Sequence, residues 1–550
     1  MSIIGSNILA GASGNQGYNI NNSLRFRSSA SAYLSRTPAG AGNTQKWTWS
    51  AWIKLGKLST IGGLFGALSG TDRMYISYAS TAKWQIYGTN AGTDYVEAYS
   101  TGLYRDPSAW YHLVIAVDTT QATAGNRLKM YVNGNQESVS FTTNMTLNAN
   151  TSINKAIATV IGETSVGNDP FDGYMTEINF LDGYAYAPSY FGETSTTTGS
   201  WIPKEYSGSY GTNGFYLKFS DIATTSGSNA GLGKDFSGNT NYWTTNNISV
   251  TAGTTYDAMT DSPTNTSATV ANYATFAGTN LGTYANATIT EAGLKVSVSA
   301  GGTPDGGKAY APFGMSDGSG KWYFEMTCVD PGSSNQRLCF GIANVTTNPN
   351  AIAITNGYYA SASGAHGNYN IGTFTTNDVL QVAYDSGTNK LWFGKNGTWY
   401  NSGNPAAGTT PLVTVTSGVT YVPFSTYASS GGGPGIGAWN FGQRPFSYTP
   451  PTGFKALNTS NLLSTTAITT SGTFTGNGSA DGPFVYLNGV PTAMTINGNA
   501  VTFATHADKL ANGFKVRTTS SSYNNSGVSN SYTISTTGAK FKYANAQGNP

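Results

Sequence analysis

The chain has 550 residues, of which 70 are aromatic and only 54 charged, with a formal net charge of +2. Soluble domains average roughly a quarter charged residues, disordered chains pair few aromatics with high net charge, and nucleic-acid binders cluster Lys and Arg. None of these patterns is present, and no stretch approaches the roughly 20 apolar residues of a membrane span.

Taken in chain order, residues 1–22 form a Gly-punctuated arm with Ile3, Ile4, Ile8 and Leu9 among polar residues. It lacks a basic leading region, and Gly5, Ser6 and Asn7 interrupt its apolar residues, so export by a signal peptide is not expected. An arm of this kind suits addition to a partner's sheet edge. Beyond it, helical periodicity is almost absent and short alternating runs recur: LKMYVNG at 128–134, KWYFEM at 321–326, KLWFGKNG at 390–397 and GPFVYLNG at 482–489. Asn133-Gly134, Asn396-Gly397, Asn488-Gly489 and Asn497-Gly498 are hairpin signals, because both residues of a type I′ turn need positive φ. The expected fold is all-β, with two concanavalin A-like or jelly-roll β-sandwiches and a small C-terminal β domain. The expected partition is arm 1–22, first sandwich with a junction 23–255, second sandwich 256–457, linker 458–480 and terminal β unit 481–550.

In the first sandwich, WTWSAWIK (47–54), WYHLVIAVD (110–118), LKMYVNG (128–134) and FDGYMTEINFLDGYAYAP (171–188) follow one another. This series resembles the LamG-like, concanavalin A-type lectin domains over roughly residues 24–190. Trp47, Trp49 and Trp52 are expected to fill one inter-sheet layer, leaving Ser50 and Lys54 for other faces.

In the second sandwich, KWYFEM (321–326), RLCFGIA (337–343), DVLQVAYDSGTNKLWFGKNGTWY (378–400), WNFGQRPFSY (439–448) and PPTGFKAL (450–457) resemble a SPRY domain. The resemblance implies that 344–370 and 425–438 are loops of a partner-binding surface. KWYFEMTCV and RLCFGIA read as a hairpin that places Cys328 opposite Cys339. Two cysteines make no disulfide framework, and two small buried thiols are favoured over a cross-strand disulfide. The junction LGKDFSGNTNYWTTNNISV (232–250) and the tail from DGPFVYLNG onward resemble segments of marine bacteriophage structural proteins.

No catalytic constellation is legible. His112, His366 and His506 fall in three different units, GxSxG and GxxxxGK[ST] are absent, and no Cys/His cluster suggests zinc. Asp169, Asp172, Glu177 and Asp182 are the nearest approach to a carboxylate cluster. Asp172-Gly173 and Asp182-Gly183 read as turns, with calcium at Asp169 and Asp172 a weaker expectation and glycosidase chemistry weaker still. Sugar binding calls for exposed aromatic faces beside amides. Tyr184 and Tyr186, Tyr358 and Tyr359, and Trp399 and Tyr400 with Asn401 and Asn404 are the candidates, all in loop-like stretches.

By resemblance the chain is a non-enzymatic bacteriophage virion protein, a head or tail fibre or appendage. It would be assembled in the host cytoplasm and released by lysis, docking through residues 1–22 and binding a host-surface glycan or protein. A homo-oligomer is expected, with a trimer first. Nucleic acid, membrane insertion and a required cofactor are not expected. The alternatives are a decoration protein that binds only virion neighbours, and a polysaccharide depolymerase.

Overall fold

The computed structural model describes residues 17–58, 60–195, 200–225, 227–276, 286–299, 307–332, 338–344, 357–361, 369–427 and 433–462, and six short strands between Phe484 and Phe541. Among these residues every regular element is a β-strand or a single 3-10 turn, and no helix is long and apolar enough to cross a membrane. The fold class is all-β, as the alternating runs predict.

Four large sheets make up the body. In sheet I the order is Asn135–Gln136, Leu128–Val132, Trp110–Asp118, Lys46–Leu55, Gly173–Asp182, Ser23–Phe26 and Ala258–Met259, with Phe215–Leu217 also on Gly173–Asp182. Sheet II runs from Val139–Thr143 through Thr93–Ser100, Trp84–Asn90, Asp72–Tyr78, Gly62–Ser69, Thr159–Ile161 and Tyr33–Arg36 to Thr244–Asn246. Sheet III is built on Lys321–Asp330, flanked by Gly435–Asn440 and Val379–Asp385, and sheet IV on Tyr421–Tyr427 beside Leu338–Asn344. Two three-stranded sheets lie in the terminal region, Phe484–Val485 with Gly538–Phe541 and Tyr532–Ser535, and Met494–Ile496 with Asn499–Phe503 and Val516–Thr518.

Two of the Asn-Gly turns form as expected. Asn133 and Gly134 have φ 48° and 82° and join Leu128–Val132 to Asn135–Gln136; Asn396 and Gly397 have φ 49° and 83° and join Lys390–Lys395 to Thr398–Trp399. The strands either side of residues 497–498 pair with each other, while Asn488-Gly489 lies outside the described residues.

The tryptophan layer divides by strand parity. Trp47 and Trp49 enter the core between sheets I and II, with Trp49 stacked on Phe65 at 6.1 Å. Trp52 is five residues from Trp47, so the two-residue pleat sends it to the opposite face. There it stacks on His112 at 4.9 Å and joins the core that continues into the second sandwich. Ser50 and Lys54 share that outer face, as expected, and both are fully buried.

The outer face of sheet I is therefore covered twice. One half lies under residues 184–195 and 200–210, which pack Phe191, Tyr206 and Tyr210 on Val114, Leu181 and Tyr216. The other half, with Trp110 and Tyr174, packs against Tyr273, Ala292 and the second sandwich. Ala258–Met259 pairs with Ser23–Phe26 in sheet I, so the chain stays with the first sandwich past the expected boundary at 255. Ile20 of the expected arm is buried and its amide donates to Thr264 at 3.1 Å; residues 1–16 lie outside the described residues. At the other boundary, Asn458, Thr459 and Leu462 of the expected linker are buried against the second sandwich.

The hairpin expected at 321–343 does not form. Lys321–Asp330 belongs to sheet III and Leu338–Asn344 to sheet IV, so Cys328 pairs with Gly437 and Cys339 with Thr426. The connection between them crosses from one sheet to the other, which a parity argument along one strand cannot show. Both thiols are buried and neither is in a disulfide.

Candidate functional site

The region after Asp182 holds six tyrosines between 184 and 216. Four aromatic rings form a fixed base on sheet I: Phe191, Tyr206, Tyr210 and Tyr216 are buried together with Val114 and Leu181. Tyr210 donates to Asn179 Oδ1 at 3.0 Å and Tyr206 to the Ser209 carbonyl at 2.8 Å. A buried phenol needs such a partner.

On this base stands a column of three rings. Tyr184 and Tyr186 stack at 5.3 Å and 28°, and Tyr186 and Tyr190 at 4.1 Å and 8°. Thr48 anchors the loop beneath them, donating to the Tyr184 carbonyl at 2.7 Å and accepting from the Tyr186 amide at 2.8 Å. Pro188 opens the 3-10 turn Pro188–Tyr190, its fixed φ suiting the first turn position. Tyr190 is 46% exposed. The hydroxyls of these three tyrosines bond to no group among the described residues. The column offers aromatic faces and free phenols to solvent. Sequence reasoning found Tyr184 and Tyr186 but missed Tyr190; the signal was the local tyrosine density.

Beside the column, His112 is 1% exposed and sits between Trp52 and Trp201. Trp201 donates its indole N–H to Nδ1 at 2.9 Å, so the neutral ring carries its proton on Nε2, 2.9 Å from Ser50 Oγ. Burial pushes this imidazole down to about 3, and it is a packed strand histidine. His366 and His506 lie outside the described residues. Trp201 also lies against Gly134 and Gly192; a Cβ at Gly134 would stand 2.3 Å from the indole. Gly134→Ala meets both this clash and a φ of 82°, so it should cost about 2 kcal/mol in urea denaturation; a loss below ~0.5 kcal/mol would contradict this packing.

The four carboxylates do not converge into a cleft. Asp182 accepts from the amides of Asn43 and Asn213 at 2.7 and 3.0 Å and from Asn154 Nδ2 at 2.6 Å, tying three loops together. Asp172 is not in a turn: it directly precedes the strand Gly173–Asp182, accepts from Ser28 Oγ at 2.8 Å and from the Ala292 amide, and is raised by burial. Asp169 takes the Thr164 hydroxyl at 2.9 Å. No group of three metal-ligating side chains occurs among the described residues. Glu177 sits in a β-bulge with φ 51°, where Tyr216 donates to it at 2.5 Å and Tyr18 at 3.4 Å. Burial raises Glu177 to about 8.

These two groups set opposite pH slopes. The fold holds Glu177 protonated, so its contribution is complete below 4.5 and is lost as pH rises through 8. It holds His112 neutral, so that contribution is complete above 6.5 and is lost as pH falls toward 3. Glu177→Gln should flatten the alkaline limb of a stability profile and leave the acid limb in place. An unchanged alkaline limb would refute the assignment.

The remaining candidates are placed differently. Tyr358 and Tyr359 are not in a loop: the strand Gly357–Ser361 pairs with Leu338–Asn344 in sheet IV, because it extends that sheet by antiparallel pairing, and their side chains lie outside the described residues. Trp399 is half-buried, its ring edge-on to Tyr323 at 6.4 Å. Tyr400 packs on the second core, and Asn401 and Asn404 are exposed on the turn that follows. Trp399 and Tyr400 turn inward and do not form a stacked platform.

Residues 28–189 match the concanavalin A-like lectin/glucanases superfamily. That span includes Tyr184 and Tyr186 and stops one residue before Tyr190. No curated protein matches the chain. Among solved structures, a Bacteroides ovatus protein described as a candidate carbohydrate-binding protein is 17% identical, over 42% of this chain and 59% of that one, with a TM-score of 0.29. The chain thus spans about 59% of that protein's length. The SPRY domain of human HERC1 is 17% identical over 26% of this chain and 87% of the domain, TM-score 0.21. A Ruminococcus gnavus sialidase CBM40 bound to α2,3-sialyllactose is 12% identical over 29% of this chain and 86% of its own, TM-score 0.19.

Proposed function

We propose that the chain is a non-enzymatic glycan-binding protein whose lectin-like sandwich takes a sugar ring on the column Tyr184–Tyr186–Tyr190. The observation that carries this is the near-parallel Tyr186–Tyr190 pair, half-exposed above a buried aromatic base. Pyranose C–H faces stack on such rings, and the free phenols supply hydrogen bonds to hydroxyls. The rings are locked before binding, so little rotamer entropy is lost on contact.

The setting we propose is a bacteriophage virion, as a fibre or appendage docked through the part of the arm that precedes Gly17, since Tyr18, Ile20 and Asn22 are engaged within the chain itself. Its support is the order of the two sandwiches and the junction at 232–250. A decoration protein binding only virion neighbours predicts no adsorption of the free chain to host cells. The absence of catalysis is part of the proposal: Asp172 and Glu177 are spent on protein groups, and purified host polysaccharide should release no oligosaccharide in their presence.

Contacts by stacking and neutral hydrogen bonds are weakly screened by salt. Affinity for the bound glycan should therefore change less than about tenfold between low and moderate ionic strength. A larger loss, measured by calorimetry or host-cell adsorption, would overturn the stacking account.

A further inference from the structure

Lys54 sits on the strand Lys46–Leu55, which is paired on one side with Trp110–Asp118 and on the other with Gly173–Asp182. Its side chain enters the seam between the two sandwiches and is fully buried there, together with Asp261 and Asn272. The Lys54 Nζ donates to Asp261 Oδ2 at 2.8 Å, to Asn272 Oδ1 at 2.8 Å and to the Tyr273 carbonyl at 2.7 Å. The Tyr174 ring lies 5.6 Å from Nζ, and the Trp110 indole donates to Asp261 Oδ1 at 3.1 Å. Aromatic rings thus flank the three groups.

An amine, a side-chain amide and a carboxyl group in mutual contact are the reactants and the proton carrier of an amide exchange. A C=O bond is about 1.2 Å long, so Asn272 Cγ lies no more than about 4 Å from Nζ. That is close to the roughly 3–3.5 Å of an attack-ready pair. Asn272 is held in place as well: its Nδ2 donates to the Ser108 carbonyl at 2.8 Å and its amide to the Thr459 hydroxyl at 3.2 Å. Burial works against the charged form of both Lys54 and Asp261. Neither ion keeps its hydration in the seam, which brings the neutral pair within reach, and a desolvated lysine amine is a nucleophile.

We propose that Lys54 and Asn272 join in an intramolecular isopeptide bond, with Asp261 as the catalytic proton carrier. The Asp261 carboxylate takes a proton from the Lys54 ammonium, and the free amine adds to Asn272 Cγ, forming the Nζ–Cγ bond. The Cγ–Nδ2 bond then breaks. Nδ2 leaves as ammonia, carrying the proton that Nζ gives up on becoming an amide nitrogen, and Asp261 stays protonated and neutral. No oxidant or cofactor is consumed. The two residues are 218 apart in sequence, and the Ala274 amide beyond Asn272 donates to the Leu457 carbonyl at 3.1 Å. The bond therefore fastens the first sandwich covalently to a segment that is itself tied to the second. Closure follows folding: the structure holds the pair before the bond forms, and a freshly folded chain keeps the ion pair.

The test is mass spectrometry of the full chain, freshly folded and after prolonged warm incubation. Closure should lower the intact mass by about 17 Da, one ammonia, and digestion should yield a branched peptide that joins Lys54 to Asn272. Asn272→Ala removes the electrophile and Asp261→Ala the proton carrier; each should keep its full mass and give separate peptides. Where a variant fails to fold, the peptide map of the native chain decides alone. Native peptides that stay separate after incubation, or a branch from Lys54 to Asp261 with loss of water, would overturn the proposal.

Discussion

Asp261→Ala should destabilise the chain by about 3–5 kcal/mol, the range for breaking a buried ion pair on one side only. Lys54 is fully buried on the outer face of sheet I, where its Nζ donates to Asp261 Oδ2 at 2.8 Å, Asn272 Oδ1 at 2.8 Å and the Tyr273 carbonyl at 2.7 Å. Trp110 donates its indole N–H to the other oxygen of Asp261 at 3.1 Å. Burial alone lowers Lys54 and raises Asp261, and each charge opposes the shift of the other. Removing Asp261 leaves an ammonium in a dry junction with only neutral acceptors. The double change Lys54→Met with Asp261→Leu removes both charges and should recover most of the loss. Urea denaturation of Lys54→Met, Asp261→Leu and the double supplies the cycle. A single-variant cost under ~1 kcal/mol would mean that the junction is wet.

Replacing Tyr186 and Tyr190 together by Ala should weaken glycan binding by at least about 30-fold, equivalent to about 2 kcal/mol. Tyr186 lies between the other two rings, so its loss also removes the support of both neighbours. The rings are the solvent-facing layer of the cluster, and the buried base of Phe191, Tyr206, Tyr210 and Tyr216 stays filled. Stability should thus fall by less than about 1.5 kcal/mol, within the range of ordinary surface changes. Measuring affinity and unfolding on the same variant separates lost contact from lost fold. Comparable binding by the variant and the native chain would remove the column from consideration.

Much of the fold is legible in the sequence because its signals are local. Asn133-Gly134 and Asn396-Gly397 announce their turns by residue type, and alternation announces the strands. Features that depend on which sheet a strand joins are not local. Cys328 and Cys339 lie close in sequence yet in different sheets, and Gly357–Ser361 extends sheet IV where a loop was expected. Trp52 shows a third kind of loss: its parity was readable, but what covers the outer face was not. Two of the column's three rings were visible as Tyr184 and Tyr186; Tyr190 needed the 3-10 turn at Pro188 to bring it against Tyr186.

The low charge count also has a structural meaning. Arg25, Lys54, Asp172, Asp182, Glu177, Asp257, Asp261, Glu325 and Arg444 are all buried, each bonded across loops or between sandwiches. Apart from Glu177, which the fold holds neutral, these charges act as internal ties.

The most direct measurement is a crystal structure of the full chain soaked with a glycan it binds on an array. The account predicts a pyranose ring stacked on Tyr190 or Tyr184, with its hydroxyls near the free phenols. Density for the sugar elsewhere, at Trp399 and Tyr400 for instance, with the column bare, would contradict it.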